Sequence, residues 1–236
     1  MNKNKIKTIF FDFGGTLDSD GIEWGLRLLK KLNDAGLAFN KDNFMGAAKK
    51  SMDQLFDNKE SAFLNYKQAI DIYIYWVIKN LELIIEDYKK VLVDPFYLES
   101  VRYIERNRKL LERLSGKFTL GIISNNFGNC KGWCNEFSID NYFKVIIDSN
   151  IIGFRKPDKR IFEIACKKIG SSFEECVYVG DKYMIDIEPV IKLGIQPIWI
   201  NSNNSKQKIV SKVIKIKTLP DLKNIFEIKD ELKLLI

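Results

Sequence analysis

Five side chains in this sequence have types and positions that suit the binding of a phosphoryl group. Asp12 and Ser124 each end an apolar run, Asp181 and Asp186 follow a third such run, and Lys156 precedes a proline between them. Carboxylates hold hard cations such as Mg²⁺, which prefer oxygen ligands, while an ammonium group offsets the charge of phosphoryl oxygens. A hydroxyl and nearby backbone N–H groups can donate hydrogen bonds to those oxygens. The set therefore predicts a site for a metal-bound phosphoryl group.

The elements that carry these residues are predicted to be strands of one parallel sheet. Apolar runs of strand length precede Asp12, Ser124 and Asp181, and helical patterns separate them. The strands predicted after the first one are Phe118–Ser124, Lys144–Ile147, Cys176–Gly180, Gln196–Ile200 and Val213–Lys217. Alternating strands and helices indicate an α/β fold with a doubly wound parallel sheet, and ligands bind such sheets where the carboxyl ends of the strands converge.

A helical insert is predicted between the first and second strands. Residues 22 to about 94 contain no clear strand, and one helix is predicted from Ser61 to Leu81. The aromatic residues of that helix are expected mainly to pack in a core. They are Tyr66, Tyr73, Tyr75 and Trp76. Trp24, close to the junction with the first strand, is the better candidate for a pocket wall. Residues 201–205 are predicted to form an exposed loop.

Four separated segments resemble the motifs of the haloacid dehalogenase-like (HAD) superfamily of aspartate-nucleophile hydrolases, and they occur in the family's order. They are Asp12–Leu17, Leu120–Asn126, Gly153–Phe162 and Val177–Asp186. No single segment would suffice. The resemblance extends from about residue 5 to residue 200, with a divergent insert in the middle.

The resemblance implies that Asp12 is the nucleophile and forms an aspartyl-phosphate, with Ser124 and Lys156 as further catalytic residues. The substrate contacts that it implies come from Ser124, Asn125, Lys156 and Gly15. The implied ligands of Mg²⁺ are Asp12, Gly14 through its backbone carbonyl, Asp181 and Asp186. The resemblance also implies a Rossmann-like core of residues 1–20 and 97–236, and a helical cap of residues 21–96 that closes over the site.

Gly14 departs from the family's pattern, in which the residue two positions after the nucleophile is usually an aspartate. That aspartate protonates the leaving group and later activates water, and such help is typically worth about 10²–10⁴ in rate. A neighbouring carboxylate, Asp18 or Asp20, or a group from the insert could replace it. Alternatively, the chain resembles relatives that cleave phosphonates or displace halide, or it binds a phosphorylated ligand with little turnover. A positive φ or a close backbone approach could also require the glycine.

Each of these residues also has a purely structural interpretation. Asp12 alone could cap a turn, Lys156 could be a solvated loop lysine, and Asp181 could complement a helix dipole. For Asp18 and Asp20 a solvated helix start is the favoured interpretation. For Asp12 the presence of all four motifs favours the functional interpretation, and for Asp181 and Asp186 their place after the apolar run 177–179 favours metal binding.

Composition narrows the function classes. The 236 residues include no histidine, which excludes histidine-dependent catalytic triads and histidine-ligated zinc. The net charge of +7 comes from scattered lysine pairs, so we expect a solvated face rather than a nucleic-acid surface. Four cysteines without metal or redox spacing are predicted to be buried thiols. With no long apolar run and no signal-like start, we expect a cytoplasmic protein without a membrane span.

The predicted function is that of a Mg²⁺-dependent phosphatase acting on a small phosphorylated molecule, with the oligomeric state left open. The main alternative is a catalytically weak binding or regulatory protein. A third is an enzyme that cleaves carbon–phosphorus or carbon–halogen bonds. Asp181 and Asp186 argue against the halide reaction, which does not need the metal. A phosphonate reaction would need a Schiff-base lysine in the insert, for which the candidates are Lys30, Lys49, Lys67 and Lys79.

Overall fold

Six parallel strands form one sheet, in the order β3-β2-β1-β4-β5-β6. The computed structural model describes residues 3–202 and 212–228. The strands are β1 (Thr8–Phe11), β2 (Thr119–Ser124), β3 (Phe143–Asp148), β4 (Cys176–Gly180), β5 (Gln196–Ile200) and β6 (Ile214–Ile216). The predicted α/β fold with a parallel sheet is confirmed, and each predicted strand after the first begins and ends within one residue of the observed one.

Helices fill the connections between the strands. They are α1 (Trp24–Asp34), α2 (Lys41–Asp57), α3 (Tyr66–Asn80), α4 (Asp94–Ser115), α5 (Cys130–Glu136), α6 (Ser149–Ile152), α7 (Lys159–Ile169), α8 (Glu188–Leu193) and α9 (Leu222–Phe226). The first four separate β1 from β2, and α4 continues directly from a π-helical turn at Lys89–Val93. The boundary proposed at residue 97 therefore lies within α4.

The central strand β1 is buried along its whole length. Because side chains alternate between the two faces of a strand, Ile9 and Phe11 join the larger hydrophobic core and Phe10 joins the smaller one on the opposite face. Strands covered on both faces are typical of parallel sheets. This burial fixes the position of the residue that follows β1, Asp12.

The segment before α3 differs from the predicted helix, which was expected to begin at Ser61. A 3₁₀ turn spans Lys59–Phe63, and α3 begins at Tyr66 after an N-terminal cap at Asn65. The Asn65 side chain accepts from the backbone N–H of Gln68, whose side chain accepts from the backbone N–H of Asn65. The expected helix start was wrong because this reciprocal cap sets a later one.

The insert is tied to the core by hydrogen bonds around residues 61–64. The Asn129 side chain donates to the backbone carbonyls of Ser61 and Leu64, at 2.9 and 2.8 Å, and the Trp133 indole also donates to Leu64. Tyr66 is fully buried against Trp133. This corner of the insert is therefore firmly attached.

Two further sequence expectations concern cysteines and membrane spans. All four cysteines are free and buried, as predicted. Across residues 3–202 and 212–228, no helix combines the length and the apolar character needed to cross a membrane. Most of the loop predicted at residues 201–205 lies outside the described residues, and of the two that are described, Asn201 is buried.

Candidate active site

Asp12 lies at the carboxyl edge of the sheet, between the ends of two neighbouring strands. It follows β1 directly, and its backbone N–H donates to the carbonyl of Val179 in β4 at 2.9 Å. Ser124 ends β2 on one side, and Asp181 follows β4 on the other. Asp12 and Ser124 both line the same cavity and are 7% and 3% exposed. The parallel register thus brings together residues that are far apart in the chain.

Lys156 is buried in the loop before α7 and contacts two carboxylates. Its Nζ lies 2.9 Å from Asp12 Oδ1, 2.7 Å from Asp186 Oδ1 and 2.7 Å from the Tyr178 hydroxyl oxygen. A lysine ammonium has three N–H donors, so these three acceptors match all of them. A phosphoryl oxygen would have to displace one acceptor to receive a hydrogen bond from Lys156. In this arrangement Lys156 acts through its charge and holds Asp12 in place.

Asn125 fixes the backbone of Lys156. Its side-chain oxygen accepts from the Lys156 N–H at 2.7 Å, and its side-chain nitrogen donates to the Lys156 carbonyl at 2.9 Å. Asn125 lines the cavity, as expected of a substrate-binding residue, but both ends of its amide are engaged. The adjacent Asn126, which was not expected to contribute, has a buried Nδ2 without a hydrogen-bond partner among the described residues and also lines the cavity.

Three carboxylates lie close enough to share one cation. One ligand oxygen from each of Asp12, Asp181 and Asp186 lies within 4.8 Å of the others. Asp186 is fully buried and accepts from Lys156 and from the backbone N–H of Lys182. The Oδ1 atom of Asp181 is buried and has no hydrogen-bond partner in the described part of the chain. Since an unpaired buried carboxylate oxygen is costly, a cation ligand fits this donor set.

The pKa shifts in the carboxylate cluster also favour a bound cation. Burial raises the pKa of the Asp181 carboxyl well above its usual value, and the negative charge of Asp186 raises it further. Burial also raises the pKa of Asp12, although Lys156 opposes this shift. Burial lowers the pKa of Lys156, but attraction to Asp12 and Asp186 outweighs it and leaves that pKa above its usual value. Three carboxylates share the contacting ammonium of Lys156, and a divalent cation would supply the further positive charge that they need.

Gly14 and Gly15 differ sharply in their surroundings. Gly15 has a φ of +81°, and a Cβ atom there would lie 2.3 Å from Asp181 Oδ2. Its N–H donates to Asp18 Oδ1 at 2.6 Å, so a substrate could use that N–H only by displacing Asp18. Gly14 has no positive φ, and no described heavy atom lies within 4 Å of a Cβ built on it. The suggestion that strain or close approach requires Gly14 is therefore wrong, and both conditions apply at Gly15 instead.

Asp18 and Asp20 are engaged away from the cavity. The fully buried Asp18 carboxylate accepts from the Trp24 indole at 2.8 Å and the Tyr66 hydroxyl at 2.6 Å. Asp20 accepts two hydrogen bonds from the Arg106 guanidinium. Neither aspartate lines the cavity. The expected solvated helix start is wrong because Asp18 joins the core to the insert and Asp20 binds Arg106 of α4, and neither is placed to protonate a leaving group.

A cavity of about 340 Å³ opens above Asp12, between the insert and the core. Trp24 forms part of its wall, as predicted. Among the aromatic residues of α3, Tyr66 and Tyr73 are buried, as expected for packing, whereas Tyr75 is 44% exposed. Tyr73 also reaches the cavity. The face of α2 that covers the cavity was not predicted, although the helical spacing of its residues is a signal for such a face.

The four candidate Schiff-base lysines differ in whether they reach the cavity. Lys49 lines the cavity. The other three do not line the cavity and have partners in the insert or at its edge. Lys30 pairs with Asp34, Lys67 pairs with Asp94, and Lys79 lies over the Trp76 ring. A phosphonate-type reaction would therefore depend on Lys49.

Known proteins of similar sequence include phosphatases that align with most of the chain. A chain 28% identical over 207 residues is the glyceraldehyde 3-phosphate phosphatase of Methanothermobacter thermautotrophicus, with 84% of this chain and 86% of that protein covered. The Methanocaldococcus jannaschii protein of the same name is 28% identical over 201 residues, covering 83% and 85%. A HAD phosphatase structure from Thermococcus onnurineus has a TM-score of 0.55 at 20% identity, covering 95% and 99%, and is similar in fold.

The family assignment follows from a match that spans the whole arrangement described above. The model of the haloacid dehalogenase-like hydrolases matches residues 9–200, which include β1 except its first residue, β2 to β5 and every residue of the carboxylate cluster. The chain belongs to the haloacid dehalogenase-like hydrolase family.

Proposed function

We propose that this hydrolase is a Mg²⁺-dependent phosphatase of small phosphorylated metabolites, with Asp12 as its nucleophile. The observation that carries the proposal is the cluster of Asp12, Asp181 and Asp186, with its unpaired buried oxygen on Asp181. The two relatives at 28% identity, both named as phosphatases of glyceraldehyde 3-phosphate, support a phosphate ester as substrate. We also propose that residues 21–96 form a cap over the site.

Mg²⁺ would be held by the carboxylates of Asp12, Asp181 and Asp186 and by the backbone carbonyl of Gly14. When bound, it supplies positive charge that stabilises the developing negative charge on the phosphoryl oxygens. Burial of the carboxylates strengthens such an interaction, because little water screens it.

Asp12 carries the covalent step of the proposed reaction. A carboxylate oxygen of Asp12 attacks phosphorus, the ester P–O bond breaks, and the leaving oxygen departs with the bonding electrons. Water then attacks the phosphorus of the aspartyl-phosphate, which releases phosphate and restores the carboxylate. Lys156 orients Asp12 and offsets its charge, and the Ser124 hydroxyl donates to a phosphoryl oxygen.

Gly14 leaves the leaving oxygen without the usual proton donor. Two carboxylates from the insert, Glu23 and Asp53, line the cavity and could take that role. Without such help, esters of acidic alcohols should react best, because their leaving groups need no proton. The absence of a side chain at position 14 also favours the second candidate function, a protein that binds a phosphorylated ligand and turns it over slowly.

The experiment that tests the proposal compares phosphate-ester hydrolysis with and without Mg²⁺ in wild-type, Asp12→Asn and Asp181→Asn proteins. We expect hydrolysis by the wild type in Mg²⁺, none above background for Asp12→Asn, and no metal dependence for Asp181→Asn. Asp34→Asn, a matched change at an exposed residue of α1, should behave like the wild type. An unchanged rate in Asp12→Asn, with contaminating phosphatase excluded, would remove the nucleophile assignment.

A further inference from the structure

We infer that the substrate is a phosphate monoester whose alcohol part carries a flat apolar ring. This inference rests on the proposed phosphatase function and adds the substrate class. It comes from the cavity above Asp12, whose side chains differ between the interior and the entrance.

One face of α2 covers the cavity. The residues of α2 that line it recur at intervals of three and one, which places them along a single side of the helix. They are Met45, Ala48, Lys49, Met52, Asp53 and Phe56. Ala48 is buried and Met45, Met52 and Phe56 are partly buried, whereas Lys49 and Asp53 are exposed. The interior part of this surface is therefore apolar, and its charges lie toward solvent.

Aromatic rings form the walls beneath α2. Trp24 is 7% exposed, and its ring centroid lies 5.5 Å from that of Tyr73 and 6.2 Å from that of Trp133. All three residues line the cavity. The ring centroid of Phe127 lies 4.5 Å from that of Phe56, and Phe127 also lines the cavity. Aromatic walls favour flat apolar groups, which they contact by stacking and edge-to-face packing.

Few buried polar side chains of the cavity are left for a polyhydroxylated substrate, because Asp12, Ser124 and Lys156 belong to the proposed phosphoryl site. Four further charged residues of the lining are exposed, and they are Lys49, Asp53, Arg155 and Lys182. Recognition of several hydroxyl groups depends on buried hydrogen-bonding side chains that are left for the ligand. Asn125 has both ends of its amide bonded to Lys156. Asn126 has one nitrogen without a hydrogen-bond partner among the described residues, but that nitrogen is buried. The chemistry of the walls therefore fits a ring better than a sugar or a short polyol.

The test uses three primary alkyl esters, so that leaving-group chemistry is nearly constant. They are phenethyl phosphate, ethyl phosphate and glycerol phosphate. We expect kcat/KM for phenethyl phosphate to exceed both others by about 10- to 100-fold, as expected from burying one aromatic ring. Binding is measured separately by calorimetry in Mg²⁺ with phenethylphosphonate and ethylphosphonate, which carry no ester bond, and the same ratio is expected.

Two variants of α2 link the preference to the cavity. Met52→Gln should reduce the preference for the phenethyl compounds by about 5-fold or more, because a polar group then faces the ring. Lys50→Gln, an exposed neighbour on α2 that does not line the cavity, should leave the preference unchanged. Melting temperatures of both variants establish that they are folded.

The outcomes separate this inference from the phosphatase proposal. If glycerol phosphate is hydrolysed as well as phenethyl phosphate and the two phosphonates bind equally, the ring inference is wrong and the phosphatase proposal stands. If phenethylphosphonate binds at least about 10-fold more tightly but no ester is hydrolysed above the Asp12→Asn background, the ring inference stands and the phosphatase proposal is wrong.

Discussion

Gly14 and Gly15 are adjacent in sequence, but only Gly15 needs to be a glycine on steric grounds. At Gly15 a side chain would combine a positive φ with a collision against Asp181. At Gly14 there is open space and an ordinary backbone. No steric constraint therefore requires a glycine at position 14, and a substitution can introduce the missing acid there.

Gly14→Asp should raise the hydrolysis of alkyl phosphates by about 10²-fold, because it supplies a proton donor to the leaving oxygen. Activated aryl phosphates should gain less. The melting temperature should change little, since the new side chain enters open space. Rates and melting curves are measured together, with Mg²⁺ present.

Gly15→Ala serves as the contrasting control and should destabilise the protein, whereas Gly14→Ala should not. If a stable Gly14→Asp protein that binds Mg²⁺ shows no gain on any alkyl phosphate, a missing acid is not the sole defect. The binding function, or an acid from the insert such as Glu23, would then be preferred.

Asp181→Asn should stabilise the protein when divalent cations are removed by a chelator. Its carboxylate is held near Asp12 and Asp186 with a buried unpaired oxygen, so loss of the charge relieves repulsion. A gain of about 1–2 kcal/mol corresponds to a rise of about 2–8 °C in melting temperature. Mg²⁺ should then stabilise the wild type but not the variant. A lower melting temperature for Asp181→Asn in chelator would contradict the repulsion argument, and Asp34→Asn is the control.

At the scale of elements, α7 begins with a cap that makes its stability depend on pH. The Asp158 side chain accepts from the backbone N–H of Arg160 and pairs with its guanidinium. The side-chain hydrogen bonds from Arg160 are the main reason that the pKa of Asp158 falls to about 2, from a usual 3.8. Because the folded-state pKa is depressed, this contribution to stability is present above about pH 4 and is lost as the pH falls toward about 2.

Asp158→Ala should therefore lower the resistance to chemical denaturation at neutral pH, and the difference from the wild type should shrink below about pH 4. Denaturation curves at several pH values measure this. Asp158→Asn keeps a capping oxygen without the charge and should lose less than Asp158→Ala. A deficit in Asp158→Ala that stays constant down to about pH 2 would show that the charge does not matter.

The sequence predicts the strands well because each is a short apolar run bounded by turn residues, and burial on both faces leaves little choice of register. The residues at the ends of β1, β2 and β4 were placed for the same reason. Two features of the site have no comparable pattern in the sequence that would predict them. Tyr178 lies in an apolar strand, and nothing in its neighbours reveals that its hydroxyl contacts Lys156. The bonding of Asp18 and Asp20 depends on Tyr66 and Arg106, which lie far along the chain.

At the scale of the whole molecule, the insert is attached unevenly to the core. Around residues 61–64, Asn129 and Trp133 hold it by hydrogen bonds from buried side chains. Beside the cavity, the buried hydrogen bond from Trp24 to Asp18 also joins the two parts, but the other contacts there are weaker. Glu23 pairs with the half-exposed Lys182 at 3.5 Å, and Arg155 lies over the Phe56 ring. Exposed ion pairs contribute little to stability, so we expect opening to occur at this side.

We predict that a saturating phosphate analogue with Mg²⁺ will slow hydrogen exchange in α2 more than in residues 61–64, because the cap closes at its loosely held side. Exchange measured by mass spectrometry in the free and bound protein tests this. Helix α9, away from the cavity, is an internal control and should not change. Equal protection of α2 with and without the analogue would count against a moving lid.

The central place of β1 in the sheet has a consequence for how the chain folds as it leaves the ribosome. β1 is synthesised before both of its neighbours, which begin at Thr119 and Cys176, and can pair only after they appear. The insert needs no such partners, because α2 packs against α3 nearby in the sequence. We therefore expect the insert to acquire structure first and the sheet last, since pairing between distant segments is slow. Until the nascent chain reaches Gly180, β1 remains an exposed apolar strand. Asp12 at its end then has neither of the carboxylates with which it later forms the cluster.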